Sequence, residues 1–246
     1  MNDPSFLRCR TLLAAFAEAG AKVEVVTAKD KLRALLGHGL PLSSGRVACF
    51  SAENNAFYAM LDRYLARLDA LGATLAITAD HGMNAKHDAN GQPNVIYLQS
   101  LLDGWLGANR ARVILPITDP YVVHHGALGG FAVVYLAADA PVAEVVDRLE
   151  LTDGIAAVLA REVACARFEL PPDREGDLIV LADRNQALGA SPDRHDLSQL
   201  KEPLRSHGGV TEQRVPLLLN RPCADLSLER PLRNFDTFHL ALNSAR

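Results

Sequence analysis

Short apolar runs alternate along the chain with segments whose apolar residues recur at helical spacing, and this alternation constrains the fold most. In the segment 57–71, apolar residues recur every three or four positions up to Gly72. The run 74–79 follows directly and has the continuous apolar pattern of a buried strand. Because strands that alternate with helices are typical of α/β proteins, the sequence predicts an α/β fold with a largely parallel sheet.

The other elements are predicted in the same way, from apolar patterns and from the glycines and prolines that end them. The segments 131–136, 141–149 and 155–159 are interpreted as a small β-α-β unit. The other predicted strands are 22–27, 47–50, 95–98, 112–115, 176–181 and 215–219, and the other predicted helices are 12–17, 29–36 and 101–106. The polar segment 188–205 is predicted to be a loop, and long loops inside compact domains often carry function.

Composition and charge exclude several classes of protein. The chain has 25 Lys and Arg against 29 Asp and Glu, a net charge of −4 without a basic block, which argues against a nucleic-acid partner. No run approaches about 18 consecutive apolar residues, so we expect no membrane partner. The first residues lack the pattern of a signal peptide. The four cysteines form no CxxC pair, which is typical of free thiols in a reducing compartment, and we expect a cytoplasmic protein.

The first candidate site is Asp80-His81-Gly82, directly after the predicted strand 74–79. In open α/β sheets, ligands bind outside the carboxyl ends of the strands. A carboxylate and an imidazole are both good zinc donors, and Gly82 permits the turn that would aim both at one ion. The alternative is that Asp80 caps a helix and His81 is a surface histidine.

Other histidines extend this candidate site. His207 lies between Ser206 and two glycines, so an ion could approach it closely, although a histidine in a flexible surface turn is the alternative. His124 and His125 are adjacent, and because adjacent side chains diverge in extended chain, we favour a structural or substrate-rim role for them. His87, in a polar loop, is expected to be solvated.

Lys29 and Lys31 follow the predicted strand 22–27, again at a carboxyl end. In an extended loop they point the same way, and two ammonium groups on one side form an anion pocket. The alternative is the solvated start of a helix. The cysteines are expected to be small buried hydrophobic residues rather than catalytic groups.

Several of these stretches occur together in one group of enzymes. The run 78–83, which contains Asp80-His81-Gly82, and the following Lys86-His87-Asp88 resemble the second metal motif of the alkaline phosphatase superfamily. Asp-His-Gly alone marks only the superfamily, but longer runs resemble the phosphonoacetate hydrolase family within it. Those runs are 1–4, 26–31, 93–98, 119–126 and 205–209. The resemblance extends over nearly all 246 residues.

The resemblance implies a two-zinc hydrolase that cleaves the carbon–phosphorus bond of phosphonoacetate to acetate and phosphate. In the family a threonine attacks phosphorus, and the metals stabilise charge on the phosphoryl oxygens. By resemblance, Asp80 and His81 bind one zinc and His207 binds the other. Lys29 and Lys31 hold the substrate carboxylate, beside the carbanion that leaves. The implied partner is therefore a small phosphonate.

The chain also departs from the family pattern. The family's nucleophilic threonine, and the motifs that supply three of its six metal ligands, find no counterpart here; one missing block would fall between 51–53 and 54–56. Thr27, Thr78, Ser43 and Ser44 are conceivable hydroxyl substitutes, but none lies in the nucleophile motif. We therefore expect a chain shortened at its start and middle, without a catalytic nucleophile, with incomplete zinc sites and with little or no activity.

The resemblance predicts how the chain is divided into domains, but two other functions stay open. We expect residues 1–246 to form a single, partial alkaline-phosphatase-like α/β domain, with a small inserted α+β subdomain at 127–185, and a homodimer is possible. One alternative is a non-catalytic remnant that binds a metal or an anion. Another is a phosphodiesterase or phosphatase of the same superfamily, although Lys29 and Lys31 favour a carboxylated substrate.

Overall fold

The structure is a computed structural model that describes residues 12–20, 23–27, 45–49, 54–116, 128–200, 203–223 and 230–244. Contacts divide the chain into two compact units, Met1–Leu75 and Ala76–Arg246. The described elements include strands and helices in both units, and the α/β class predicted from the sequence is confirmed. The predicted sheet was largely parallel, whereas five of the seven strand pairings among the described residues are antiparallel. The single domain over 1–246 and the subdomain at 127–185 stay predictions.

The first unit contains two described helices and two described strands. They are α1 (Leu12–Glu18), β1 (Val23–Thr27), β2 (Gly45–Cys49) and α2 (Asn54–Ala70). β1 and β2 pair in parallel, with Val25 opposite Val47. Gly72 follows α2 with φ at +78°, a left-handed conformation that glycine adopts without strain, and this explains why the helix ends there. The predicted helix 29–36 lies outside the described residues.

The second unit contains most of the described strands. Its strands are β3 (Ala76–Thr78), β4 (Asn84–Ala85), β5 (Val95–Tyr97), β6 (Ala111–Ile114), β7 (Phe131–Leu136), β8 (Ile155–Ala160), β9 (Leu178–Ala182), β10 (Ala187–Gly189), β11 (Arg205–Ser206) and β12 (Leu217–Leu219). Its helices are α3 (Leu98–Leu106), α4 (Val142–Glu150), α5 (Arg161–Phe168) and α6 (Asp236–His239), with a π-helical turn at Leu240–Ser244.

Four of these strands form one antiparallel sheet in the order β6-β7-β9-β8. β7 and β8 both run antiparallel to β9, so they are parallel to each other with β9 between them. The predicted β-α-β unit therefore exists as a split unit. The reason is the composition of β9, Leu178–Ala182, in which every residue is apolar and buried, so it takes a central position.

The main core lies between this sheet and helices α3 and α4. Leu102, Val134, Leu149 and Val180 belong to it and are almost completely buried. Burial of each such side chain stabilises the fold by about 1.5–3 kcal/mol.

Three shorter strand pairs position the candidate site. β3 pairs antiparallel with β12, β4 pairs antiparallel with β11, and β5 pairs in parallel with β10. The run 74–79 was predicted to be a buried strand, but only 76–78 is a strand and it is half-buried. Within the described part of the chain β12 is its single strand partner.

Candidate metal site

Asp80 and His81 lie directly after β3 and are held by hydrogen bonds within the turn. The backbone N–H of His81 donates to Asp80 Oδ1 over 3.0 Å, and His81 Nδ1 lies 2.9 Å from the carbonyl oxygen of Gly82. Because a carbonyl oxygen only accepts, Nδ1 carries a proton, and in the neutral ring Nε2 presents its lone pair. A metal-binding histidine is commonly oriented in this way, with its other ring nitrogen donating to a carbonyl.

The free face of this turn brings one oxygen and one nitrogen together. Asp80 Oδ2 lies 3.5 Å from His81 Nε2, and the Asp80 side chain is 72% exposed. Two ligands of a tetrahedral zinc ion, each about 2.0–2.1 Å from the metal, are about 3.3 Å apart. The separation of the two donors therefore fits a shared zinc ion.

His207 lies directly after β11, and its ring stacks on that of His81. The two ring centroids are 3.6 Å apart and the ring planes differ by 10°. β11 pairs with β4, which follows the Asp80-His81-Gly82 turn, so the strand register brings these distant segments together. The structure thus places His207 beside His81, whose ring nitrogen lies near the Asp80 carboxylate.

Few side chains at this site could bind a metal ion. In the described ranges, no three His, Cys, Asp or Glu side chains are grouped so that they could hold one metal ion. Asp80 and His81 together offer two donors, and His207 offers one beside them. These residues fit part of a metal site.

The other candidates have different outcomes. Lys29, Lys31, His124 and His125 lie outside the described residues. His87 was predicted to be solvated but is half-buried, with Nδ1 2.7 Å from the carbonyl oxygen of Asp88. The loop closes on itself there because Asp88 Oδ1 accepts two backbone N–H groups, from Asn90 and Gln92.

Two further candidates are the substitute hydroxyl of Thr78 and the cysteines. Thr78 Oγ1 is buried and has no hydrogen-bond partner, so it is not presented to a phosphonate. Cys165 and Cys223 are free thiols. Burial raises the pKa of the Cys165 thiol, and the nearby carboxylates of Glu175 and Glu162 raise it further, which disfavours a catalytic thiolate.

Sequence reasoning did not single out Lys86 and Glu212, which form a buried ion pair beside this site. Lys86 Nζ lies 3.1 Å from Glu212 Oε1, and both side chains are 1% exposed. Lys86 does occur in the motif that carries the family resemblance, but nothing in its sequence context shows that it is buried. A charged residue is rarely buried completely unless it is paired, and its partner lies far along the chain.

An open pocket of about 280 Å³ lies beside Asp80 and His81. Its other lining residues include Phe131, Phe168 and Gly208. This volume is sufficient for a small organic molecule. The pocket therefore gives a small ligand access to the carboxylate and the imidazole.

Comparison with known proteins places the chain in a family. No protein-family model matches it. A phosphonoacetate hydrolase from Penicillium oxalicum is 58% identical over 56 residues, which are 21% of this chain and 78% of that protein. Solved structures of phosphonoacetate hydrolase from Sinorhizobium meliloti 1021, in complex with phosphonoformate and with phosphonoacetate, are each 44% identical, with TM-scores of 0.89 and 0.88.

The Sinorhizobium matches are similar in sequence and in fold, whereas a third match is similar in fold alone. Each Sinorhizobium structure is matched over 100% of this chain and 76% of its own. Murine ectonucleotide pyrophosphatase/phosphodiesterase 5 is 13% identical with a TM-score of 0.54, over 91% of this chain and 66% of its own, which shows the fold alone. In the described part of the chain, no helix has the length and apolar content needed to cross a membrane. The chain belongs to the phosphonoacetate hydrolase family.

Proposed function

We propose that this chain serves zinc-dependent hydrolysis of the carbon–phosphorus bond of phosphonoacetate, which gives acetate and phosphate. Two contacts of His81 carry the proposal: its ring stacks on that of His207 with the centroids 3.6 Å apart, and its Nε2 lies 3.5 Å from Asp80 Oδ2. Membership of the phosphonoacetate hydrolase family supports the substrate.

Asp80 and His81 would bind one zinc ion and His207 a second. The His81 backbone N–H fixes the Asp80 carboxylate, and the Gly82 carbonyl oxygen fixes the tautomer that leaves Nε2 able to bind. When bound, zinc stabilises negative charge on phosphoryl oxygens and activates the nucleophile.

Lys29 and Lys31 are proposed to bind the substrate carboxylate. When the carbon–phosphorus bond breaks, its electron pair stays on the methylene carbon, which is then protonated to give acetate. The adjacent carboxylate delocalises this charge as an enolate, and two ammonium groups beside that carboxylate stabilise it. This requirement distinguishes phosphonoacetate from phosphate esters, whose leaving group is an oxygen.

The 246 residues alone are proposed to turn over slowly or not at all. By resemblance, three residues of these 246 correspond to the family's six zinc ligands, two for one ion and one for the other, and no stretch corresponds to the threonine motif. A catalytic zinc site typically has about three protein ligands. Loss of a nucleophile from a catalytic set leaves only a small part of the rate.

A second candidate is a non-catalytic chain that binds a metal or an anion. One observation favours it: across the described ranges no group of three metal-binding side chains occurs. Zinc calorimetry separates the two candidates. Dissociation constants in the millimolar range favour the non-catalytic chain, whereas tight binding of two zinc ions favours a working enzyme.

The direct test is phosphate release from phosphonoacetate by the purified chain with zinc, compared with Asp80→Ala. We expect zinc binding that Asp80→Ala weakens, with little or no phosphate release. Fast turnover that Asp80→Ala abolishes would contradict the proposed impairment. Absence of both zinc binding and phosphonoacetate binding would contradict the proposed function as a whole.

The proposal includes the location and the partners of the chain. We propose that it acts in the cytoplasm on a small phosphonate, without a nucleic-acid or membrane partner. Cell fractionation checks the location. A homodimer is proposed as its assembly, and sedimentation at several protein concentrations checks that.

A further inference from the structure

Glu212 links the two segments that carry the candidate zinc ligands. Its Oε2 accepts a hydrogen bond of 2.7 Å from the backbone N–H of Gly209, two residues after His207. Its own carbonyl oxygen accepts a hydrogen bond of 2.7 Å from the backbone N–H of Gly82, next to His81. One buried residue therefore contacts the backbone beside both stacked histidines.

The other carboxylate oxygen of Glu212, Oε1, also accepts hydrogen bonds. Oε1 accepts hydrogen bonds from Asn84 Nδ2 at 2.6 Å, Thr211 Oγ1 at 2.7 Å and Lys86 Nζ at 3.1 Å. Lys86 Nζ also donates to the carbonyl oxygen of Arg184 over 2.8 Å. The charges of Lys86 and Glu212 are thus paired and hydrogen-bonded inside the protein.

Close backbone packing fixes the loop of His207 on its other side. The backbone N–H of Gly130 donates to the His207 carbonyl oxygen over 2.8 Å. A Cβ on Gly130 would lie 2.8 Å from the Gly209 nitrogen, and a Cβ on Gly209 would lie 2.9 Å from Glu212 Oε2. A side chain at Gly130 would clash with the Gly209 backbone, and one at Gly209 would displace the Glu212 carboxylate, so the loop is held between Gly130 and that carboxylate.

The cost of this arrangement argues for a role beyond stability. A buried ion pair is often no more stabilising than apolar residues of similar size, because two charges must leave water. What it does supply is one defined arrangement of the groups that it binds. Here those groups are the backbone amides beside His207 and His81.

We propose that Glu212, paired with Lys86, is a positioning residue that holds the His207 ring against His81. The part of this proposal that concerns zinc rests on the proposed function, whereas the part that concerns the two rings does not. The hydrogen bonds support an ionised carboxylate. Burial by itself raises the pKa of Glu212, but hydrogen bonds from Asn84, Thr211 and Lys86 outweigh it and lower the pKa below its usual value.

The variant Glu212→Gln keeps the shape but removes the charge. A carboxamide has one oxygen, so it can accept from Gly209 or from Asn84 and Lys86, but not from both sides. Glu212→Asp keeps the charge for Lys86 but is one methylene shorter, and it serves as the second variant if Glu212→Gln does not fold. Val134→Ala, in the core and outside this network, is the control for a general loss of stability.

The first measurement is the nuclear magnetic resonance spectrum of the metal-free protein. Protons over the face of a stacked imidazole are shifted upfield, so the His207 and His81 ring signals report the stacking directly. We expect both Glu212 variants to lose this shift while Val134→Ala retains it. Retention of the shift in both variants would overturn the proposal.

The second measurement is zinc affinity by calorimetry, at a temperature at which near-ultraviolet circular dichroism shows each protein folded. Loss of a residue that orients metal ligands typically weakens metal binding about 10–100-fold. We expect that loss for the Glu212 variants and less than a twofold change for Val134→Ala. An equal loss in all three would assign Glu212 a merely structural role and overturn the proposal. If the unchanged chain binds no zinc, the proposed function fails, and the ring signals still decide the role of Glu212.

Discussion

The imidazole rings of His81 and His207 stack face to face with their centroids 3.6 Å apart. His81 follows β3, whereas His207 follows β11, far along the chain. The β4–β11 pairing, with Asn84 opposite Ser206, brings their segments together. The stacked rings, with the Asp80 carboxylate beside them, define the site that the first prediction tests.

Replacement of His207 should weaken zinc binding. We expect His207→Ala to remove the weaker of two zinc-binding events, and Asp80→Ala to lower the affinity of the tighter one at least tenfold, because each loses a donor from a small set. Calorimetric titration with zinc at pH 7.5 measures both. His87→Ala is the matched control, and an equal effect of that variant would show that zinc binds elsewhere.

Replacement of Lys29 and Lys31 should remove the preference for a carboxylated ligand. Charge-assisted hydrogen bonds contribute about 1.5–3 kcal/mol each, so we expect the double alanine variant to bind phosphonoacetate at least tenfold more weakly. Methylphosphonate lacks the carboxylate, and its binding should not change. Competition calorimetry with both compounds makes the comparison, and parallel loss of both ligands would contradict the assignment.

Alanine at Gly176 should destabilise the second unit. A Cβ there would lie 2.6 Å from Val133 Cγ1 and 2.6 Å from the carbonyl oxygen of Val134, so β7 would have to move. We expect a loss of about 1–3 kcal/mol in the free energy of unfolding by urea, as is typical of overpacking. Gly104, inside α3, has open space around its Cβ position, and Gly104→Ala should instead stabilise by about 0.5–1 kcal/mol.

Asp236 should make stability depend on acid pH. Hydrogen bonds from the Arg230 side chain, and then from the Arg233 backbone, lower the pKa of Asp236 from 3.8 to about 2. A lowered pKa in the folded state stabilises the fold above pH 3.8, and this contribution is lost as the pH falls from about 4 to about 2.

The Asp236 prediction is checked with urea midpoints at a series of pH values. We expect Asp236→Asn to have a lower midpoint at pH 6 and a smaller further decrease between pH 4 and pH 2 than the unchanged chain. Asp173→Asn, at an exposed position, is the control. The same acid dependence in Asp236→Asn and in the unchanged chain would contradict the prediction.

Local pattern was sufficient for most elements of the fold. The spacing of apolar residues in 57–71 with Gly72 predicted α2, and the runs 131–136 and 176–181 predicted β7 and β9 within two residues. These predictions succeed because helix and strand periodicity and the left-handed glycine after a helix depend on near neighbours. Strand order does not depend on near neighbours alone. β9 lies between β7 and β8 because its fully apolar sequence is buried on both faces, and the elements that cover those faces come from distant parts of the chain.

Some features of the candidate site could likewise be predicted from the sequence, and others could not. The residue types of Asp80, His81 and His207, and the family resemblance of the stretches around them, follow from the sequence by itself. Only the tertiary structure decided that the His81 and His207 rings stack, and that Lys86 is buried against Glu212. The physical reason is that a charge can be buried when a partner from elsewhere in the chain satisfies it, and that partner is fixed by strand register rather than by neighbouring residues.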